Sequence, residues 1–496
     1  MYLPDEVSFT QMIGRSGLVP IHRTIIADLD TPLTIFAKVA GDDTHAFLFE
    51  SMEGGEKWGR YSFIGLDPLV TFESLHDEVW LRYPGSDRPE ERRNGVDPLR
   101  ELKELVGSFR PGNGPGLPRF YGGAVGFLGY DMVRFIEEIP DSHPPLDLPD
   151  SGFMVPRLVL IHDSVQQTLT IVCNVEADSG RRVGDIYRDG CRRIEAVIER
   201  LKRPLPDTLA VLPRAAAGDH VFTSNMERED FTAMVERAKE YILAGDIIQV
   251  VLSQRFHTRT DLNPFTLYRA LRHINPSPYL FFLRQGDIVL IGSSPEILVR
   301  LEEGEIELRP IAGTRRRGRT PEEDLALEKE LLADPKERAE HLMLVDLGRN
   351  DVGRVAERGS VTVRDLLVIE RYSHVMHIVS GVHGVLAPGK DQFDVLAACF
   401  PAGTVSGAPK IRAMEIIDEL EVQRRGPYAG AVGYFGFSGN MDFCITIRTF
   451  VLRGHDLWVQ AGAGIVADSD PDREYEETIN KAMGLRKAVR LAEQGF

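Results

Sequence analysis

The sequence predicts an α+β fold built on antiparallel β-sheets. A 3.6-residue apolar period in residues 228–244 predicts a helix that ends at Gly245, and the run at 247–256 predicts a strand. Apolar and polar residues alternate in 443–452 and 457–461, which indicates strands with one buried face. Because helices and strands alternate irregularly, antiparallel sheets are favoured over a doubly wound parallel sheet.

The N-terminal two hundred residues predict short strands and two helices. Strands are expected at 45–50, 61–64 and 158–162, where apolar residues cluster between turn residues. Helices are expected at 98–109 and 181–202, the second being charged and amphipathic.

A proline-rich stretch divides the chain. With 496 residues the chain exceeds one ordinary hydrophobic core. Prolines and a run of small residues fill positions 203–219. We therefore expect a linker at 206–222 between an N-terminal domain, residues 1–205, and a C-terminal domain, residues 223–496.

Composition and charge exclude several classes of function. A formal net charge of -17 opposes binding to nucleic acid or an anionic membrane, since both require a basic surface. No apolar run approaches the about 20 residues of a membrane span, and the N-terminus lacks the pattern of a signal peptide. Cys173, Cys191, Cys399 and Cys444 are scattered, so neither a disulfide framework nor a zinc site is indicated. We expect a cytoplasmic protein.

Two segments far apart in the chain repeat one pattern. An Asp-Pro pair, at 334–335 and again at 470–471, is followed by two glutamates three residues apart. Asp at the N-cap and Pro at the next position start a helix, and the spacing places each glutamate pair on one face. The glutamates are Glu337, Glu340, Glu474 and Glu477.

If the two helices converge, four carboxylates meet. Such a cluster needs a hard cation, and oxygen ligands without His or Cys indicate Mg²⁺. The alternative is that Glu337 belongs to a capping box and the other glutamates form a solvated helix face.

Several further residues are candidates for binding or catalysis. The segment PIAGTR at 310–315 is either a tight turn or a cradle for a small anion. Two glycines at 462–464 follow a predicted strand and expose backbone N–H groups to an anion; the loop after them argues against a dinucleotide fingerprint. His377 is either a core residue or a catalyst. Arg448 interrupts an apolar strand and needs a substrate carboxylate or a structural salt bridge.

Together these elements resemble one family. From about residue 230 to residue 491 the chain is similar to the chorismate-using enzymes, and among them to anthranilate synthase component I. The resembling stretches are QVVLS at 249–253, GSSPE at 292–296, PIAGTR at 310–315, EHLMLVDLGRND at 340–351, HVMH at 374–377, PAGTVSGAPK at 401–410, GPYAGAVGYF at 426–435, QAGAG at 460–464 and NKA at 480–482. The N-terminal half matches more loosely, through LFES at 48–51 and RYSFIG at 60–65.

The resemblance implies a fold and a reaction. The fold has two intertwined domains built on antiparallel sheets packed face to face, with helices outside. The reaction converts chorismate and ammonia to anthranilate and pyruvate with Mg²⁺, the first committed step of tryptophan biosynthesis. The C-terminal domain would bind chorismate, and the N-terminal domain would contribute to a site for tryptophan as feedback inhibitor.

The resemblance also implies residue roles. Glu340 and Glu477 would hold Mg²⁺, helped by Glu337 and Glu474. Glu296 would be the general acid at the C4 hydroxyl, and His377 would assist the loss of pyruvate. The residues that would hold the chorismate carboxylates or complete that wall are Thr404, Tyr428, Arg448, Gly313, Thr314, Gly462, Ala463 and Gly464. Lys481 would face the same cavity.

Two positions bear on the product. Relatives that add water carry a lysine base where this chain has Gln249, and glutamine cannot deprotonate water. Relatives that make aminodeoxychorismate commonly carry lysine where this chain has Ala312, which cannot form a covalent intermediate. Both positions favour ammonia as nucleophile and anthranilate as product.

The partner and the inhibitor are also implied. The sequence contains no recognisable glutaminase, so a separate glutamine amidotransferase subunit would supply ammonia, in a heterotetramer by resemblance alone. The residues that resemble the family's tryptophan site are Glu50, Ser51, Asn275, Pro276, Pro278, Tyr279 and Leu280. Phe49 and Leu280 depart from the residues usual there. The alternative is that 275–278 is a rigid loop.

Two other functions remain open. The first is a sister enzyme that makes aminodeoxychorismate, isochorismate or salicylate on the same scaffold. The second is a non-catalytic subunit that senses tryptophan.

Overall fold

The computed structural model describes residues 1–41, 43–51, 59–112, 114, 116–206, 221–372 and 375–495. Most of the expected linker at 206–222 lies outside these residues, as does His374 of the HVMH segment. Among the described residues, no helix has the length and apolar character needed to cross a membrane.

The described residues form strands, α-helices and two 3₁₀ helices. The strands are β1 Leu18–Ile26, β2 His45–Glu50, β3 Tyr61–Leu75, β4 Glu78–Arg82, β5 Glu91–Asn94, β6 Gly123–Leu128, β7 Ser151–Asp163, β8 Thr168–Glu176, β9 Thr223–Ser224, β10 Gln249–Arg259, β11 Tyr279–Gln285, β12 Ile288–Ser294, β13 Ile297–Glu302, β14 Glu305–Leu308, β15 Ile311–Arg316, β16 Thr362–Arg371, β17 Val375–Val385, β18 Gly407–Ala408, β19 Ala431–Gly436, β20 Met441–Ile445, β21 Thr449–Arg453 and β22 Asp456–Ile465. The α-helices are α1 Glu6–Ile13, α2 Pro32–Val39, α3 Pro98–Ser108, α4 Val183–Leu201, α5 Arg228–Ala244, α6 Pro264–Ile274, α7 Pro321–Ala333, α8 Pro335–Gly353, α9 Gln392–Cys399, α10 Lys410–Leu420 and α11 Pro471–Gln494. The 3₁₀ helices are Tyr130–Phe135 and Gly403–Val405.

The helix ends follow the local signals in the sequence. Asp334 accepts hydrogen bonds from the first backbone N–H groups of α8, and Asp470 accepts one from α11. Helix α5 ends at Gly245, whose φ of 87° suits glycine. The predicted starts of α8 and α11 and the predicted end of α5 are confirmed.

Two strand predictions are wrong in detail. The expected strand at 443–452 is broken into β20 and β21, because Arg448 takes a φ of 53° between them. The glycines at 462 and 464 were expected after a strand, but β22 continues through them and pairs with β10.

The strands form two layers joined by β3 and β7. At one end of this long pair, β3 continues through β2 to β11, β12, β21, β22 and β10, and β7 continues through β8 to β1. At the other end, β4 and β5 flank β3, and β6, β19, β20, β13, β14 and β17 follow β7. A register shift between Pro68 and Val70 separates the two ends. All pairs of named strands are antiparallel, as expected.

The two layers pack face to face with helices outside. Phe47, Phe281 and Leu290 of the first layer share a buried cluster with Phe127 and Tyr434 of the second. Helices α1, α2, α4, α6 and α11 cover the outer face of the first layer. Helices α3, α5, α8, α9 and α10 pack on the second layer and on the start of β10. The predicted fold class is confirmed.

The two halves of the chain are intertwined. Strand β2 from the N-terminal half pairs with β11, and β6 pairs with β19. Each layer therefore contains strands from both sides of the expected linker. The boundary at 206–222 itself stays a prediction.

Candidate active site

A cavity of about 590 Å³ lies where α8 and α11 approach β10, β15, β17 and β22. It is lined by almost every residue that the sequence assigns to catalysis, chorismate binding and metal binding. These are Gln249, Glu296, Gly313, Thr314, Glu337, Glu340, His377, Thr404, Tyr428, Arg448, Gly462, Gly464, Glu474, Glu477 and Lys481. Ala463 is the exception: it is fully buried in the core beside Leu252 of β10.

The four glutamates form one wall of the cavity, with unequal surroundings. Lys481 Nζ lies 2.7 Å from Glu477 Oε1, and Arg315 lies 3.0 Å from Glu337 Oε1. Burial, together with the Glu337 and Glu477 carboxylates, raises the pKa of Glu340. Burial also raises the pKa of Glu474. Among the described residues, neither Glu340 nor Glu474 has a lysine or arginine ion-pair partner.

The donor set suits a hard divalent cation. It contains only carboxylate oxygens, and the burial and mutual repulsion of these carboxylates favour a neutralising charge. In the conformation described here, no three His, Cys, Asp or Glu side chains within the described ranges come together tightly enough to hold a metal ion. The glutamates of α8 and α11 line the same cavity, so the expected convergence of the two helices is observed. The metal ion itself remains a prediction.

Glu296 is a buried carboxyl group directly after β12. Burial raises its pKa to about 8, although the Thr404 hydroxyl and the Ile311 N–H favour the ionised form. The carboxyl group is therefore largely protonated at neutral pH. A protonated acid in a closed cavity can donate a proton to a leaving group.

His377 lies on β17 with its ring held in one orientation. Nδ1 is 2.9 Å from the carbonyl oxygen of Gly313 and 3.1 Å from the Thr314 hydroxyl. A carbonyl can only accept a hydrogen bond, so we assign the proton to Nδ1 and the lone pair to Nε2. Burial lowers the pKa of His377, which favours this neutral form.

Gly313 supplies that carbonyl from an irregular strand. The pairing of β15 with β17 shifts register between Ala312 and Thr314, and Gly313 has a φ of 66°. A Cβ at this position would lie 3.1 Å from Glu337 Oε2. Glycine therefore permits both the bulge and the close approach of α8.

Arg448 is a half-buried cation in the wall of the cavity. Its Nη1 donates to the backbone carbonyl of Lys481 at 2.9 Å, and the described part of the chain provides no carboxylate ion-pair partner. Burial lowers its pKa. The sequence left two roles open for Arg448. These contacts fit the binding of a substrate carboxylate better than a structural salt bridge.

The glycines of β22 make room for side chains from neighbouring elements. A Cβ at Gly462 would lie 2.7 Å from the Tyr428 hydroxyl, and one at Gly464 would lie 2.4 Å from Gln249 Nε2. Gln249 Oε1 is buried and has no hydrogen-bond partner among the described residues. Lys481 Nζ donates to the Gly462 carbonyl at 2.9 Å, so this edge of β22 faces the cavity.

Two polar residues of the cavity were missed by the sequence argument. Lys336 lines the wall beside the glutamates. Its positive charge partly opposes the rise in the pKa of Glu340 and Glu474 that burial causes. Gln460 lines the opposite side and donates to the Ser253 hydroxyl at 2.8 Å. Lys336 lies in the repeated Asp-Pro segment and Gln460 in the QAGAG segment. Their closeness in sequence to predicted site residues could have pointed to them.

A second, smaller cavity of about 60 Å³ lies between the two layers. Of the residues predicted for the inhibitor, it is lined by Glu50, Ser51, Pro278, Tyr279 and Leu280. Asn275 and Pro276 are not among its lining residues. Their assignment to the tryptophan site stays a prediction, and in this structure Asn275 Nδ2 donates to Ser293 Oγ.

Comparison with known proteins identifies the family. A family model described as "chorismate binding enzyme" matches residues 45–487. The chain belongs to this family. It is a chorismate-using enzyme, and the cavity described above lies within the matched residues.

Two curated relatives are named "Anthranilate synthase component 1". The protein from Acetivibrio thermocellus is 48% identical over 498 residues, covering 99% of each chain. The protein from Aquifex aeolicus (strain VF5) is 50% identical over 479 residues, covering 96% of each chain.

Solved structures share the fold. Anthranilate synthase component I from Streptococcus pneumoniae TIGR4 matches with a TM-score of 0.73 and 38% identity, covering 93% of this chain and 98% of that one. The menaquinone-specific isochorismate synthase MenF from Escherichia coli matches with a TM-score of 0.71 and 20% identity, covering 97% of this chain and 100% of that one. The second likeness concerns the fold alone.

Proposed function

We propose that this chorismate-using enzyme converts chorismate and ammonia to anthranilate, pyruvate and water. The observation that carries the proposal is the presence, in one cavity, of a protonated buried acid, Glu296, and a half-buried cation, Arg448, that has no carboxylate ion-pair partner among the described residues. Chorismate offers a leaving hydroxyl to the first and a carboxylate to the second. The names of relatives at 48–50% identity support the same product.

Each residue has a defined task in this proposal. Arg448 and Tyr428 bind carboxylate groups and orient the ring. Glu296 donates its proton to the C4 hydroxyl, which leaves as water while ammonia bonds to C2. His377 Nε2 then accepts the C2 proton as the enolpyruvyl group leaves as pyruvate and the ring becomes aromatic.

Mg²⁺ is the cofactor we propose. Glu340 and Glu477 would hold it, with Glu337 and Glu474 beside them. When bound, the ion would supply positive charge next to the ring carboxylate.

The proposal that ammonia, and not water, is the nucleophile rests on Gln249 and Ala312. Gln249 stands at its edge with a buried amide oxygen that lacks a partner among the described residues. An amide oxygen can accept a hydrogen bond from ammonia but cannot deprotonate water. Ala312 offers no amine for a covalent intermediate.

A partner and an inhibitor complete the proposal. The relatives' name, component 1, supports a second component, which we propose to be a glutamine amidotransferase that supplies ammonia. We propose tryptophan as the ligand of the small cavity, with Glu50 and Ser51 at the end of β2 on one wall and Tyr279 on another. The cytoplasm is the compartment we propose for this assembly.

One assay tests the main proposal. The purified chain receives chorismate, Mg²⁺ and ammonium at alkaline pH, where free ammonia is available, and products are separated by chromatography. We expect fluorescent anthranilate and an equal amount of pyruvate, and no product in the Glu296→Gln variant. With glutamine instead of ammonium the single chain should be inactive. Isochorismate, salicylate or aminodeoxychorismate as the main product would assign a sister activity.

A further inference from the structure

Loop 275–278 is fastened to the end of β12 by hydrogen bonds, of which the Ser277 bond is buried and the Asn275 bonds are partly buried. Asn275 Nδ2 donates to Ser293 Oγ at 3.1 Å, and the Ser293 hydroxyl donates to the Asn275 carbonyl. Ser277 Oγ donates to the Ser294 carbonyl at 2.7 Å. All three serines are buried, so breaking these bonds leaves buried hydroxyl groups without partners, which costs free energy.

The same end of β12 also contacts the backbone of Arg448 and Glu296, two residues that line the large cavity. The Ser293 N–H donates to the carbonyl of Arg448 at 3.2 Å. The Ser294 hydroxyl makes longer contacts with the backbone of Glu296, 3.3 Å to its carbonyl and 3.4 Å to its N–H. Ser293 therefore contacts loop 275–278 with its side chain and the backbone carbonyl of Arg448 with its own backbone N–H.

The small cavity lies at the other side of this loop. Pro278 and Tyr279 line it, and Tyr279 pairs with Ser294 while Leu280 pairs with Ser293. A ligand that displaces this wall must displace the end of β12 or break its hydrogen bonds.

We propose that Ser293 is a positioning residue for Arg448, and that the Asn275–Ser293 contact couples the small cavity to chorismate binding. The proposal rests on the proposed function, in which Arg448 binds a carboxylate and tryptophan occupies the small cavity. Asn275 then acts as a coupling residue and not as a ligand of tryptophan. Arg448, with a φ of 53°, has little conformational freedom to absorb a shift of its carbonyl.

The test compares Ser293→Ala and Asn275→Ala with a matched control, Ser74→Ala. Ser74 is equally buried and loses a comparable hydrogen bond, 2.6 Å to the Ser151 hydroxyl, away from both cavities. Calorimetry without ammonium measures the dissociation constants of chorismate and tryptophan, each with and without the other ligand. Steady-state kinetics with ammonium gives kcat and KM.

We expect Ser293→Ala to weaken chorismate binding about three- to ten-fold, with kcat changed less than about two-fold. In Asn275→Ala, tryptophan should bind within about two-fold of the unmodified affinity but should no longer weaken chorismate binding. Ser74→Ala should lower only the midpoint of thermal unfolding.

Three outcomes would overturn the proposal. They are unchanged chorismate affinity in Ser293→Ala, lost tryptophan affinity in Asn275→Ala, or the same effects in Ser74→Ala. If Ser293→Ala does not fold, Asn275→Ala decides, because its side chain is only partly buried. If the unmodified chain does not bind tryptophan, the regulatory part of the proposed function fails, and the chorismate affinity of Ser293→Ala decides the role of Ser293.

Discussion

His377 Nδ1 lies 2.9 Å from the carbonyl oxygen of Gly313, and this contact assigns the two nitrogens of the ring different tasks. The protonated nitrogen holds the ring against the bulge of β15, and Nε2 keeps its lone pair. Burial lowers the pKa of His377 and so preserves that lone pair at neutral pH. A base held in this way can accept a proton repeatedly without changing its orientation.

His377→Asn separates positioning from proton transfer. The asparagine amide can keep a hydrogen bond to the Gly313 carbonyl, but it is not a base. We expect anthranilate formation to fall about 100- to 10,000-fold, while an aminated ring that retains the enolpyruvyl group accumulates. Chromatography and pyruvate release measure this. Equal loss of the aminated product and of anthranilate would place His377 earlier in the reaction.

The acid role of Glu296 predicts a loss of activity at high pH. Burial raises its pKa to about 8, so the proton it donates is lost above that pH. At constant free ammonia, we expect kcat to fall as pH rises through about 8. The measurement needs ammonium adjusted at each pH, because free ammonia otherwise rises. A kcat that keeps rising to pH 10 would contradict the assignment.

Glu296 also predicts a pH-dependent cost in stability. The unfolded chain ionises this group near its usual pKa of about 4.3, and the folded chain only near 8. The folded state is therefore favoured fully below the pKa of the unfolded chain, and this contribution to the free energy of unfolding is lost as pH rises to the pKa of the folded chain. Relative to the unmodified chain, Glu296→Gln should gain free energy of unfolding between these values, by at most about 5 kcal/mol. Denaturant titrations at pH 5 and pH 9 measure it; an equal difference at both would contradict the prediction.

The carboxylate wall predicts a metal requirement. Glu340→Gln and Glu477→Gln should each lower activity about 1,000-fold and weaken Mg²⁺ binding by calorimetry. Glu476→Gln is the matched control, because Glu476 is exposed on the same helix and pairs with Arg228. Unchanged Mg²⁺ affinity in both cavity variants would remove the metal assignment.

The small cavity predicts separable inhibition. Ser51→Phe fills its wall, so we expect at least about a ten-fold loss of tryptophan affinity with catalysis nearly intact. By linkage, tryptophan and chorismate should weaken each other's binding equally in the unmodified chain. Calorimetry with each ligand, alone and in the presence of the other, measures both effects. Unchanged tryptophan affinity in the variant would move the inhibitor elsewhere.

Much of the fold could be predicted because its signals are local. Asp-Pro pairs start α8 and α11, Gly245 ends α5, and alternating apolar residues indicate the strands, whatever lies elsewhere in the chain. The backbone break at Arg448 was missed, since its positive φ lies within an apolar run that reads as one continuous strand.

Most residues that line the candidate site could be predicted from segments whose residue types and order resemble one family, although Lys336 and Gln460 were missed. How these residues are arranged relative to one another became visible only in the folded chain. Folding brought together glutamates more than a hundred residues apart, raised the pKa of Glu296 by burial, and paired the Asn275 side chain with Ser293. These properties depend on desolvation and contact between distant parts of the chain, and no local pattern encodes either of them.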